Sequence, residues 1–126
     1  MSGWRDANET LLNHALREAD RRKIGALVYI GDCCEESRDE VIPPARQLGS
    51  LGIPIFVFHE GDEPYAGSIF RELAKVSNGA YHRFDQGSAR QLSELLRAVA
   101  VYATGGVKAL ERQGSAAARL LLTQIR

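Results

Sequence analysis

The stretch ALVYIGDCCEES, Ala26 to Ser37, decides the fold. Its first five residues are apolar without alternation; Gly31 and Asp32 then end the run, and Glu35 and Glu36 follow. A run this short, apolar on both sides of the pleat, predicts a central strand of a parallel sheet covered on both faces. The carboxylate at its end falls where open α/β sheets bind ligands, at the carboxyl ends of the strands. A second run of the same character, IPIFVFHE, ends in His59 and Glu60 and is followed by Asp62 and Glu63. A third, AYHRF, is shorter and less apolar, which predicts an outer strand, with Asp85 just beyond it.

Helical patterns separate these strands. In DANETLLNHALREADRRK, residues Leu11, Leu12, Ala15, Leu16 and Ala19 share one face, with Asn13, Arg17, Glu18 and Asp20 opposite. SRDEVIPPARQLGSLG is helical, but Pro43 and Pro44 are costly in a helix interior, so its regular part is expected to start near them and end at Gly49. PYAGSIFRELAKVSNG turns Ile69, Phe70, Leu73 and Ala74 inward and closes on Asn78-Gly79. SARQLSELLRAVAVYATGG opens on a Ser88/Gln91 capping pair and carries Leu92, Leu95, Leu96, Val99 and Tyr102 as a stripe. A helix-prone tail follows, with a break at Gly114. Helix and strand alternating in this way predict right-handed crossovers and an α/β fold: a three-layer α/β/α sandwich around a partial doubly wound, Rossmann-like parallel sheet of about three strands. The 126 residues form a single domain, with residues 1–105 as the α/β core and 106–126 as a helical tail.

Composition removes several classes of function. The chain is 44% hydrophobic and 25% charged, ordinary for a globular protein, and its 16 basic residues balance 16 acidic ones. Neutrality argues against nucleic acid or an anionic membrane as partner, and it leaves little repulsion between copies. No apolar run reaches the length of a membrane span, and the N-terminus has no signal-peptide core. The two cysteines, Cys33 and Cys34, are neighbours that cannot easily bridge. They read as small packing residues in a reducing compartment, and the expected location is the cytoplasm. No G-x-G-x-x-G turn or G-K-[ST] motif points to a nucleotide.

In order and spacing, these segments resemble the C-terminal half of a von Willebrand factor type A domain. TLLNHAL (Thr10–Leu16) is similar to that family's T-x-L-x-x-A-L helix start, and ALVYIGDCCEE to its fourth strand with the metal-site aspartate. ARQLGSLGIPIFVFHEG and FRELAKVSNGAYHRFD resemble the passages into its fifth and sixth strands. The resemblance implies a metal-ion-dependent adhesion site, with Thr10 supplying a hydroxyl and Asp32 a carboxylate for Mg²⁺ or Ca²⁺. The family's D-x-S-x-S loop has no counterpart, and only nine residues precede Thr10. Two oxygens alone do not hold a hard dication against water. The expectation is therefore a truncated domain with an incomplete metal site, at most weak Mg²⁺ or Ca²⁺ binding and no required cofactor.

The rim residues Glu35, Glu36, His59, Glu60 and Asp62 are the candidate binding surface. The expected function is non-enzymatic: a protein-protein interaction or scaffold module. The expected assembly is a homodimer, formed through the Ala26–Ile30 strand edge left bare by the missing half, or through the C-terminal tail. Two alternatives stand beside it. A separate N-terminal half could complete the metal site, or the chain could be a small hydrolase using His59 with Asp32, although no nucleophile, base and orienting group are patterned together.

Overall fold

The computed structural model describes residues 11–19, 24–32, 37–85 and 87–125. Its elements run α1 (Leu11–Ala19), β1 (Leu27–Gly31), α2 (Arg38–Ser50), β2 (Ile55–Glu60), α3 (Pro64–Val76), β3 (Ala80–Phe84), α4 (Ala89–Gln113) and α5 (Ala116–Ile125). The strands form one parallel sheet in the order β1-β2-β3, with Leu27 opposite Ile55 and Phe56 opposite Ala80. Side chains alternate across the pleat and divide the core in two. Ile55 and Val57 pack with Leu12, Val41, Leu48, Ile69, Phe70 and Leu73 under α1, α2 and α3. On the opposite face Phe56 and Phe58 pack with Phe84, Leu95, Val99, Leu110 and Leu121 under α4 and α5. The expected α/β architecture is present.

The apolar run ALVYI reads as a central strand, but here β2 is central and β1 lies at the sheet edge, the position expected for it if the first half of the fold is missing. The two differ in burial: β2 is buried from Ile55 to His59, whereas β1 is half-buried and Ile30 is 46% exposed. Local apolarity reports cover on both faces, not hydrogen bonding on both edges, so it cannot separate a central from an edge strand.

Helix α2 also departs from expectation, because it begins at Arg38 and runs through Pro43 and Pro44. The prolines lie in the second turn, so the carbonyls they leave unpaired belong to Asp39 and Glu40 in the first. The start is fixed from elsewhere. The Glu40 carboxylate accepts the Ser37 N–H at 2.9 Å, and Arg38 forms a two-point ion pair with Glu72 of α3. Val41, Ile42 and Pro44 itself are buried in the core, which offsets the lost helical bonds. The glycine pair of α4 kinks the helix at Gly106 (φ 73°, ψ −165°), and Gly114 (φ 68°) ends it, as its sequence suggests.

The α3–β3 turn is the tightest junction. Asn78 takes the left-handed conformation (φ 63°), and the Gly79 N–H reaches the Ala74 carbonyl at 2.8 Å. Gly79 is then free for a different task, since its Cα lies directly against the backbone of Ile55. Beside it the buried Ser77 hydroxyl accepts the Ile55 N–H at 3.0 Å and donates to the Leu73 carbonyl at 2.8 Å. Ser77→Ala strands that N–H at the start of the central strand, and urea denaturation is expected to show a loss of about 2 kcal/mol.

The two sheet edges are finished differently. At β3 the Gln124 side chain of α5 accepts the Tyr81 N–H at 2.7 Å and donates to the Tyr81 carbonyl at 2.8 Å. At Tyr81 one amide thus makes the two bonds a neighbouring strand would make. At β1, the Leu27 N–H bonds inward to the Pro54 carbonyl. Alternation along the strand therefore turns the N–H and C=O groups of Val28 and Ile30 outward. Among the described residues, no strand pairs with that side.

Candidate functional site

The rim expected from the sequence divides into residues the structure brings together and residues it does not. Thr10, Glu35 and Glu36 lie outside the described residues, as do Cys33 and Cys34. Asp32 is exposed just past the end of β1. Glu60 is half-buried and accepts the Gly87 N–H at 3.1 Å, which ties the loop after β3 to the end of β2. Among the described residues, no group of three His, Cys, Asp or Glu side chains is placed to hold a metal ion. None of the described helices is long and apolar enough to cross a membrane.

His59 is the candidate that acquires surroundings. It ends the buried part of β2 and is 1% exposed. Residues 55, 57 and 59 share the α3 side of the sheet, so its ring enters the layer between β2 and α3. Phe70 packs edge-on against it with centroids 5.1 Å apart, and Nδ1 lies 2.8 Å from the Tyr81 hydroxyl. Nε2 is buried and has no partner.

Register explains the rest of the cluster. Val57 pairs with Tyr81 and His59 with Arg83, so Tyr81 and Arg83 flank the imidazole on the same face. The Arg71 guanidinium of α3 stacks over the Tyr81 ring at 5.0 Å. Arg83 Nε donates to the Gly61 carbonyl at 2.7 Å. Together with Asp62, Glu63 and Gly67, these residues line a pocket of about 290 Å³ at the carboxyl end of the sheet. Asp32 does not line it, so the pairing of His59 with Asp32 has no counterpart in this cavity.

Burial raises the Tyr81 phenol above its usual pKa, an effect the Arg71 and Arg83 charges oppose. His82, on the other face, is lowered by burial and then by Arg83. The Glu63 carboxylate caps α3 by accepting the Tyr65 and Ala66 N–H groups, each at 2.9 Å. These bonds hold it below its ordinary 4.5, with a smaller contribution from His59. A lowered carboxylate adds stability above its unfolded pKa and loses it as pH falls through the folded value. Glu63→Gln is therefore expected to shrink the stability difference between pH 6 and pH 3, as read by urea midpoints at a series of pH values. Equal slopes for the variant and the parent chain would contradict the cap.

The sequence reading reached His59 and Asp62 but missed Tyr81, Arg83, Arg71 and Gly67. Alternation in AYHRF puts Tyr81 and Arg83 on one face, but only the β2–β3 register sets that face beside His59. Arg71 lies one turn after Gly67 on α3, where the sequence shows only an exposed basic residue. Comparison with protein-family models, curated proteins and solved structures finds no match for this chain.

Proposed function

We propose that the chain is a non-enzymatic interaction module that pairs with a second copy of itself through the outer edge of β1. The observation that carries this reading is the contrast between the sheet edges. On β3, Gln124 occupies the Tyr81 backbone groups and Arg83 places a charge at the next outward position, whereas β1 turns the backbone groups of Val28 and Ile30 outward with neither guard. Unpaired strand edges are normally guarded by charge, proline or a bulge. Leu27–Gly31 contains no charge and no proline. Both core clusters continue to this edge, through Leu27 and Tyr29 on one face and Ala26 and Val28 on the other.

A second copy suits this edge because it presents the same groups. A two-fold axis beside β1 would set two such strands antiparallel and complete a six-stranded sheet, a self-complementary contact. A formal charge of zero leaves no long-range repulsion between the copies. Resemblance to the von Willebrand factor type A fold supports an interaction role, and the missing D-x-S-x-S loop favours one that does not require a cation. Light scattering at micromolar concentration tests the reading. The expected mass is twice the 13.9 kDa of one chain, unchanged by Mg²⁺, Ca²⁺ or a chelator. A peak at the single-chain mass would overturn it.

A further inference from the structure

We infer that the pocket beside His59 binds a small oxyanion, the carboxylate or phosphate group of a small molecule, through Tyr81, Arg71 and Arg83. The inference rests on residues separate from the β1 edge.

The donors come from two elements. Arg71 reaches in from α3, while Tyr81 and Arg83 come from alternate positions of β3. Among the described residues neither guanidinium has a carboxylate within ion-pair distance. Arg83 uses Nε on the Gly61 carbonyl, and its terminal nitrogens remain available. Forked guanidinium donors suit a planar carboxylate or a phosphate face.

His59 prepares Tyr81 for this role. With the imidazole proton on Nδ1, the ring donates to the phenol oxygen, and the phenol proton is left for the pocket. The opposite tautomer would strand an N–H on Nε2, which has no partner, and buried orphan donors are rare. Glu63 lines the same cavity, but its two oxygens are bound to the first turn of α3. Asp62 is exposed and also lines the cavity; its charge opposes any anion there, so binding depends on the two guanidiniums outweighing it.

Gly67 supplies the independent sign that this space is kept open. It is buried in helix α3, where glycine is a weaker helix former than alanine. No positive φ or backbone clash requires it there. An added Cβ would meet Arg71 Nη1 at 3.5 Å, His59 Cε1 at 3.6 Å and the Tyr81 hydroxyl at 3.7 Å, all ordinary contacts. A methyl group at this position therefore fits the fold but fills the cradle between the three polar side chains.

The test is calorimetric titration of the full chain with inorganic phosphate and, separately, with acetate, at constant ionic strength set by chloride. Saturable binding of either probe supports the site, and the tighter one identifies the source of the oxyanion. Arg71→Gln and Gly67→Ala are each expected to weaken that binding at least roughly tenfold. Gly67→Ala should also raise Tm by roughly 3 °C, which separates a filled cradle from a damaged fold. Two results would overturn the inference: no saturation by either probe below about 10 mM, or affinity unchanged in both variants.

Discussion

Gly79→Ala is expected to abolish the cooperative unfolding transition. A Cβ built on Gly79 lies 1.9 Å from the Ile55 carbonyl oxygen, 2.6 Å from its carbon and 2.8 Å from its nitrogen. All three are backbone atoms of the central strand, so no rotamer change can relieve the contact. Ile55 is also fixed by its neighbours, being paired with Leu27 and bonded through its N–H to Ser77. Making room means pulling β2 away from the α3–β3 turn, which opens both core clusters at once. A loss above about 4 kcal/mol is expected, against a typical total of roughly 5–15 kcal/mol for a domain. The measurement is a thermal melt followed by circular dichroism, with Gly52→Ala beside it. Gly52 has a positive φ of 80° and open space around it, so that variant carries only the smaller backbone strain. A Gly79→Ala melt within a few degrees of the parent chain would mean that this close approach does not exist.

The second large effect is on assembly. Ile30→Pro is expected to convert the proposed dimer to a monomer while leaving the single-chain fold intact. The Ile30 N–H faces away from β2, so proline removes no bond within this sheet, and edge strands accept proline for that reason. The side chain is 46% exposed, which limits the loss of packing. Between two copies the same change removes one outward donor from each strand and places a ring in the contact. Dimer affinity should fall on the order of 100-fold or more. Ile30→Lys provides the check that the backbone alone is not responsible, since it sets like charges near each other across the two-fold axis. Light scattering over a dilution series reads both variants, and circular dichroism confirms that the strand persists. Dimers of undiminished affinity in both would place the contact away from β1.

The fold was legible because its decisive signals are local. Unbroken apolar runs mark ALVYI and IPIFVFHE as sheet strands, and the 3.6-residue spacing of Ile69, Phe70, Leu73 and Ala74 marks the buried face of α3. Gly106 and Gly114 punctuate the C-terminal helices where their backbone freedom is needed. What stayed hidden depends on register and long-range contact. Asn78-Gly79 reads as one helix stop, yet the left-handed turn falls to Asn78 and the close approach to Gly79. Pro43 and Pro44 read as a helix start, but tertiary burial carries α2 across them. At the site, a histidine ending a buried strand looked like a rim residue. Its ring instead lies beneath the rim, against Phe70 of α3 and the Tyr81 hydroxyl of β3, both distant in sequence.

The Gln124 amide has a consequence for the size any such assembly can reach. A subunit with two open sides would keep recruiting others, and the product would be a ribbon of indefinite length. Here the glutamine takes the Tyr81 position of one flank and Arg83 sets a charge at the next outward position, so further growth is disfavoured on that side. In the proposed pairing, the limit on stoichiometry would thus lie on the β3 side, far from the surface where the two molecules would meet.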